Sequence, residues 1–342
     1  MFRLRPPARK PVLAVVAVLT AATATLASAA TPSADASTSA LPAVGASSVY
    51  VTGVSSGGFM ATQLQVAYSG EISGAGIIAA GPYDCGEGNV IDFETCDLGI
   101  STSQLEAQAQ AWASQRLIDP VSNLQGKQIY VYHGELDPVV NTLVANSGVS
   151  FYQYFGADVT YHNWDLAGHG WPSPLGPLAC ALTTAPFIIN CGDDPEQEML
   201  DTWFGSVNAP NNGSSKGTLK TFSQAPYVPG GDPAALGLNG TGFLYTPTAC
   251  TAAGADCKIV VALHGCLADE SYLGDLFPED SYLDEFADTN KLIVLYPQTV
   301  PTVVPVDPEG CWDWWGYDGS NFAVKSAPQM VAIMNMVAAL QS

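Results

Sequence analysis

The sequence predicts an α/β fold with a mostly parallel central sheet flanked by helices. Two near-continuous apolar runs, IVVAL at 259–263 and LIVLY at 292–296, are typical of strands buried on both faces of a parallel sheet. Strand patterns alternate with helix patterns along the chain, which favours α/β over segregated layers. The predicted strands are 49–54, 128–132, 158–164, 243–246, 258–263 and 291–296, and the predicted helices are 59–68, 101–117, 282–289 and 328–340.

The last predicted helix carries the clearest boundary signals. Ser326 is the expected N-cap and Pro328 stands in the first turn, where its missing N–H costs nothing. Apolar side chains recur at helical spacing and predict one buried face: Met330, Ile333, Met334, Val337 and Leu340.

The first 29 of the 342 residues predict a cleaved secretory signal peptide. Basic residues between positions 3 and 10 precede an apolar run at 12–26, and Ala27-Ser28-Ala29 offers small cleavage residues. Residues 30–47, rich in Thr, Pro, Ser and Ala, are expected to form a flexible leader. A single catalytic domain is then expected over 48–342, with 206–216 either a linker or a long surface loop.

Secretion predicts that the eight cysteines form disulfide bonds. Sequence alone permits 105 pairings of eight cysteines. Spacing favours three local closures, and it leaves two cysteines for a longer bridge. The scattered histidines and the lack of a C-x-x-C pair argue against a metal site. The expected pairs are Cys85–Cys96, Cys180–Cys191, Cys250–Cys257 and Cys266–Cys311.

The charge balance limits the partners. The chain has 11 Lys and Arg against 32 Asp and Glu, giving a formal charge of −21. Cleavage at 29 removes four basic residues and no acidic one, so the mature charge becomes −25. Such acidity argues against nucleic acid and against anionic membrane surfaces. We expect a soluble exported monomer that needs no metal or organic cofactor.

A serine in a glycine-rich turn is the first catalytic candidate. Gly53-Val54-Ser55-Ser56-Gly57 matches G-x-S-x-G, with the predicted strand VYVTG before it and a predicted helix after it. This is the setting of a nucleophile elbow, whose turn is too tight for larger flanking side chains. The competing interpretation is an ordinary serine in a glycine-rich turn.

A general base and an acid complete the candidate set. Of the four histidines, His169 in AGHGWP follows a predicted strand and has glycine on both sides, so we favour it as the base. Asp137 in GELDPVV lies just beyond the strand QIYVY and precedes His169 in the chain. Asp119 and Asp165 are rival acids, but neither occupies a turn after a strand end.

The order of the segments predicts a circular permutation. A second oxyanion amide is usually supplied by a loop after an early strand, often with an H-G motif. Here that loop, IVVALHGC, comes after the candidate histidine and is followed by another strand and the last helix. Joining the C-terminus to residue 48 restores the usual order, which predicts a circularly permuted α/β-hydrolase fold.

Six ordered motifs carry a family resemblance: GVSSGGFMATQL, YHGELDPVV, AGHGWP, VALHGC, LIVLYPQT and GCWDWWGY. In this order they resemble the extracellular poly(3-hydroxybutyrate) depolymerases, in particular their single-domain, circularly permuted class. The resemblance implies a triad of Ser55, Asp137 and His169, with the amides of Ser56 and Cys266 as the oxyanion hole. It also implies hydrolysis of a polyester polymer or oligomer through an acyl-enzyme.

Four tryptophans are candidates for substrate contact, although burial in the core is the usual fate of tryptophan. They are Trp171, Trp312, Trp314 and Trp315. Two other functions stay open at this point: a feruloyl or acetyl esterase acting on plant polysaccharide, and a secreted binding protein without catalysis. The preferred monomer, the chain length, endo or exo cleavage and action on polylactide are not determined by the sequence.

Overall fold

The computed structural model describes residues 39–86, 96, 101–212, 216–252 and 254–342, and its centre is one large mixed sheet. The predicted signal peptide and residues 30–38 of the expected leader lie outside this range. The strands are β1 Val49–Val54, β2 Ile72–Ile78, β3 Gln128–Tyr132, β4 Asp158–His162, β5 Trp171–Pro172, β6 Leu178–Ala179, β7 Ile188–Asn190, β8 Thr218–Ser223, β9 Thr241–Thr246, β10 Lys258–Leu263 and β11 Leu292–Tyr296.

Within the described residues, eight strands form the main sheet in the order β4-β3-β2-β1-β10-β11-β9-β8. Every neighbouring pair from β4 to β11 is parallel, whereas β9 runs antiparallel to both β11 and β8. The three short strands β5, β7 and β6 form a separate small sheet. The predicted mostly parallel α/β architecture is confirmed.

Helices cover both faces of the main sheet. Their bounds are α1 Ser56–Ala67, α2 Thr102–Ser114, α3 Thr142–Tyr154, α4 Pro195–Phe204, α5 Glu270–Leu273, α6 Leu276–Asp280, α7 Leu283–Asn290 and α8 Pro328–Gln341. Side chains from α1, α2, α3 and α8 join one buried apolar cluster, and those from α4 and α7 join the cluster on the opposite face. Short 3₁₀ turns occupy Val121–Leu124, Ala225–Tyr227, Pro229–Gly231, Pro233–Leu236 and Thr248–Cys250.

Most predicted elements are present within a few residues, and the exceptions have physical causes. Strand β2 was not predicted because its sequence, ISGAGII, carries two glycines, which weaken a strand pattern. Both are needed in the fold, since a Cβ on Gly76 would lie 2.2 Å from Met199 Sδ and one on Gly74 would lie 2.8 Å from Gln128 O. Strand β8 and helices α3 and α4 were also missed. The expected N-cap Ser326 was wrong by one residue, since Ala327 precedes Pro328 at the start of α8.

The permutation prediction agrees with the sheet order. Strand β1, which leads into the candidate serine, pairs in parallel with β10, and β10 pairs with β11. The amides of Val44 and Ala46 donate to the carbonyl of Leu340 at 3.1 and 3.4 Å, so the start of the fold meets the last helix. Strands from both ends of the chain therefore complete one sheet, as expected for a circularly permuted α/β hydrolase.

The leader differs from expectation over residues 39–47. Leu41 is buried and its amide donates to the Tyr227 hydroxyl at 2.8 Å, while the amide of Ser47 donates to Cys257 O at 3.0 Å. This segment is packed because its amides bond to the end of α8 and to neighbouring loops, and because Leu41 and Ala46 belong to the buried apolar cluster. Beyond α4, Asn208 and Asn211 bond to α7, so the described part of 206–216 is a surface loop.

All four expected disulfide pairs are present: Cys85–Cys96, Cys180–Cys191, Cys250–Cys257 and Cys266–Cys311. The longest bridge joins the loop after β10 to the loop before α8. In the described part of the chain, every helix is too short or too polar to cross a bilayer.

Candidate active site

Ser55 occupies the tight turn between β1 and α1. Its backbone has φ 57° and ψ −124°, a left-handed conformation that a serine adopts only when its surroundings enforce it. The amide of Ser55 donates to Ile78 O at 2.9 Å, and its carbonyl accepts from the amide of Phe59 at 3.0 Å. These bonds hold the turn to β2 and α1, so the serine is fixed at the carboxyl end of the parallel strands.

The glycines around Ser55 are required by close backbone contacts. A Cβ on Gly53 would lie 2.4 Å from Gly57 O. A Cβ on Gly57 would lie 2.3 Å from Leu263 O and 2.4 Å from His264 O. The motif therefore allows α1 to approach the end of β10, as a nucleophile elbow requires.

Asp137 and His169 form a buried pair. Asp137 Oδ2 lies 2.8 Å from His169 Nδ1, and the Asp137 side chain is 0% exposed. The other oxygen, Oδ1, accepts from the amides of Val139 and Val140 at 2.8 and 2.9 Å. The amide of His169 donates to Thr183 Oγ1 at 2.8 Å. The carboxylate thus fixes the ring with Nδ1 protonated, which leaves Nε2 free to accept a proton.

The rival acids are engaged elsewhere. Asp165 Oδ2 accepts from the Tyr132 hydroxyl at 2.8 Å and lies 3.0 Å from His162 Nε2. Asp119 lies 2.6 Å from the ammonium of Lys325. The structure therefore brings Asp137, and neither rival, into contact with His169.

The other three histidines are bonded to groups other than the Ser55 side chain. His133 Nε2 bonds to Val140 O at 2.9 Å and so supports the Asp137 loop. His162 is held between Asp165 and Glu198, with Nδ1 2.7 Å from Glu198 Oε2. His264 is buried behind the loop that follows β10. Of these four, His169 is the one that lines the cavity beside Ser55.

Ser56 and Cys266, the two residues whose amides are expected to form the oxyanion hole, line the same cavity as Ser55. Ser56 is the first residue of α1, where helix N–H groups lack helical acceptors. Gly265 approaches so closely that a Cβ on it would lie 3.2 Å from Ser55 Cβ, which places Cys266 at the cavity wall. Among the described groups, none accepts from the amide of Ser56 or of Cys266. These amides can therefore stabilise a developing oxyanion.

A cavity of about 230 Å³ joins these groups. Its wall is largely apolar, with one carboxylate, Glu309, at the side of the Cys266 loop. The arrangement can bind an uncharged acyl chain and present its carbonyl to Ser55. The apolar side chains of the wall are Val54, Phe59, Val139, Val140, Val144, Pro186, Phe187, Leu267, Ala268, Phe277 and Trp314.

Comparison with known proteins identifies the family, although no protein-family model matches the chain. A poly(3-hydroxybutyrate) depolymerase of Delftia acidovorans is 39% identical over 296 residues, covering 84% of this chain and 58% of that protein. A polyhydroxybutyrate depolymerase of Talaromyces funiculosus is 36% identical over 315 residues, covering 87% of this chain and 91% of that protein. The chain belongs to the polyhydroxybutyrate depolymerase family.

Solved structures of depolymerases share the fold. A crystal structure of the depolymerase from Penicillium funiculosum matches with a TM-score of 0.81 at 34% identity, covering 89% of this chain and 99% of that one. A serine-to-alanine depolymerase variant complexed with an R3HB trimer matches equally well. The chain spans little more than half of the Delftia relative but nearly all of the solved depolymerase structures.

The tryptophans of this depolymerase divide between cavity and core. Trp314 lines the cavity and stacks on Phe59, with ring centroids 4.2 Å apart. Trp171 is fully buried and donates from Nε1 to Ser281 O, and Trp312 is fully buried behind the Cys266 loop. Trp315 packs on Trp314 and Tyr317. The structure places Trp314 at the cavity wall and the other three candidates, Trp171, Trp312 and Trp315, outside it, and substrate contact stays a prediction.

Several residues of the depolymerase site were not found from the sequence. Val139 and Val140 could have been noticed, since they follow Asp137 by two and three residues. Thr183 carried no signal, because its contact with His169 depends on a long loop folding back. The apolar wall residues also gave no local signal beyond their hydrophobicity.

Proposed function

We propose that this chain is a secreted serine esterase that hydrolyses poly(3-hydroxybutyrate)-type polyester through an acyl-enzyme. The observation that supports it most is one apolar cavity lined by Ser55, His169 and the amides of Ser56 and Cys266, with Asp137 bonded to His169. Membership of the depolymerase family and the R3HB trimer bound by a relative favour this substrate class.

The reaction follows from these contacts. His169 Nε2 takes the Ser55 proton while Ser55 Oγ attacks an ester carbonyl of the polymer. The two amides hold the oxyanion, and Asp137 stabilises the imidazolium without accepting its proton. Collapse of the intermediate expels the hydroxyl-ended fragment, which His169 protonates. Water then attacks the acyl-serine by the same route and releases the carboxyl-ended fragment.

Adsorption to a neutral solid needs apolar rather than charged contacts. Leu136 and Val139 are about half exposed beside Asp137, and Leu182 is similarly exposed beside Thr183. Since each of them adjoins a loop of the active site, we propose that they contact the polymer around the cavity mouth. The formal charge of −25 expected after signal cleavage keeps the exported monomer soluble rather than steering adsorption.

The test compares Ser55→Ala with Ser56→Ala. Ser55→Ala removes the nucleophile and should abolish both the clearing of a polyester suspension and labelling by a serine-directed phosphonate. Ser56→Ala removes a buried hydroxyl but keeps the backbone amide, so we expect at least a tenth of the wild-type rate. Clearing of the polyester suspension by Ser55→Ala at the wild-type rate would refute the proposal.

A second measurement distinguishes a polyester hydrolase from a feruloyl or acetyl esterase that acts on plant polysaccharide. We expect release of 3-hydroxybutyrate oligomers from the polyester and little ferulate from methyl ferulate. The reverse preference would indicate a polysaccharide esterase with the same catalytic groups.

A further inference from the structure

His264 is a buried histidine that the triad does not use. It follows β10 directly, is 0% exposed, and precedes the Gly265–Cys266 peptide. Its ring packs against those of Trp312 and Phe277, with centroids 5.4 and 6.3 Å away. A fully buried imidazole is retained in a core only when its polar atoms are bonded.

The hydrogen bonds of His264 fix its tautomer. Nδ1 lies 2.8 Å from Gly265 O, and because a carbonyl only accepts, Nδ1 carries the proton. Burial lowers the pKa of His264, so the ring is neutral and Nε2 is an acceptor. The amide of Thr299 donates to Nε2 at 3.3 Å, while the Thr299 hydroxyl donates to Gly310 O at 2.5 Å.

The bond from Nδ1 controls the direction of a neighbouring amide. A peptide is planar and trans, so its C=O and N–H point in opposite directions. When His264 holds the carbonyl of Gly265, the N–H of Cys266 in the same peptide must point away from His264. The Cys266 amide has no acceptor among the described groups, and its residue lies at the cavity wall.

Other contacts hold the peptides on either side. Trp312 Nε1 donates to His264 O at 3.0 Å, which fixes the preceding peptide. On the other side, the amide of Leu267 donates to Glu309 O at 2.7 Å, and Cys266 is bonded to Cys311. The Gly265–Cys266 peptide is thus restrained from both ends, and His264 is the one described residue that bonds to its carbonyl.

We propose that His264 is a positioning residue for catalysis: its Nδ1–H holds Gly265 O so that the Cys266 amide is aimed at the oxyanion. Trp312 supports this arrangement by holding the carbonyl of His264 in the preceding peptide. This role rests on the proposed ester hydrolysis, in which loss of one oxyanion donor costs roughly 10²–10³-fold in kcat.

The experiment compares two amide variants that each keep one half of the imidazole. Asn places a donor near the position of Nδ1 and preserves the bond to Gly265 O, whereas Gln reaches the Nε2 position and preserves only the contact with Thr299. His264→Gln should lose about 10²-fold in kcat on p-nitrophenyl butyrate with KM unchanged within twofold. His264→Asn should remain within about fivefold of wild type.

The readouts exclude a purely structural effect. Rates are divided by the concentration of sites titrated with a phosphonate, so unfolded protein does not count. The affinity of a trifluoromethyl ketone, whose adduct carries an oxyanion, should fall by the same factor as kcat/KM across the variants. A lower Tm with unchanged kcat per titrated site would overturn the proposal, and so would equal losses in the Asn and Gln variants.

If His264→Gln does not fold, the proposal is tested by the kcat per titrated site of Trp312→Phe and of His264→Asn. The phenylalanine keeps an aromatic ring but removes the Nε1–H, so kcat per titrated site should fall about tenfold, and an unchanged kcat would overturn the proposal. Failure of the polyester proposal is separately visible, since the wild type would then hydrolyse the soluble ester without clearing the polymer.

Discussion

Replacing Asp137 by Asn tests the assignment of the acid most directly. Asp137 Oδ1 accepts from the amides of Val139 and Val140 at 2.8 and 2.9 Å, while Oδ2 faces His169 Nδ1 at 2.8 Å. An NH₂ group cannot accept from the two amides, so the Asn oxygen keeps the Oδ1 position and its NH₂ faces the imidazole. The NH₂ then donates to Nδ1, and the ring proton moves to Nε2.

The wrong tautomer cannot take the proton of Ser55, and the imidazolium loses its negative partner. We therefore expect kcat to fall by about 10⁴-fold, which corresponds to about 5.5 kcal/mol in the activation free energy. The fold should persist, because the Asn side chain retains all three hydrogen bonds. The assay is kcat on p-nitrophenyl butyrate, with Tm measured on the same preparation.

Asp165→Asn is the matched control. Asp165 bonds to Tyr132 and contacts His162, and its side chain is 16% exposed. Its replacement should lower Tm but leave kcat within about threefold of wild type. The reasoning is refuted if Asp137→Asn keeps more than a hundredth of the wild-type kcat, or if the Asp165 variant shows the larger loss.

Two further predictions concern the elbow and the pH dependence of stability. Gly57→Ala places a Cβ 2.3 Å from Leu263 O, so it should lower the unfolding free energy by about 3 kcal/mol or more and displace Ser55. Gly240→Ala is the control, because a Cβ there meets no atom within 4 Å. The control variant should change neither the urea midpoint nor kcat. Burial raises the pKa of Asp307 from 3.8 to about 6, so the stability from its protonated form is complete below pH 3.8 and is lost as pH rises through about 6. Asp307→Asn should therefore reduce the drop in stability between pH 5 and 7.5 by about 1 kcal/mol, and an unchanged drop in urea unfolding would contradict this.

The elements that could be predicted are those with local signals. Strands β1, β3 and β10 have the predicted bounds, because their apolar runs end at recognisable turns. Helix α4 was missed although Pro195 and the acidic first turn were legible in the sequence. Strand β2 could not be predicted, because its glycines reflect the approach of Met199 from a distant helix.

The burial of the leader residues and the placement of the tryptophans could not be predicted from local sequence. Residues 39–47 are polar and small-residue-rich, yet Leu41 and Ala46 are buried because the last helix offers an apolar surface. The tryptophans of CWDWW could be assigned to neither core nor cavity from spacing alone. Only the loop conformation places Trp314 at the cavity and Trp312 against His264.

The sequence by itself determined the α/β class, the elbow around Ser55, the choice of His169 and the permuted fold. Periodicity and turn residues encode these features within a few positions of the chain. Tertiary structure decided that Asp137 rather than Asp165 contacts His169, that His264 bonds to the carbonyl of Gly265, and that Trp312 bonds to the carbonyl of His264. These contacts join segments up to 48 residues apart, and their geometry depends on packing that no local pattern records.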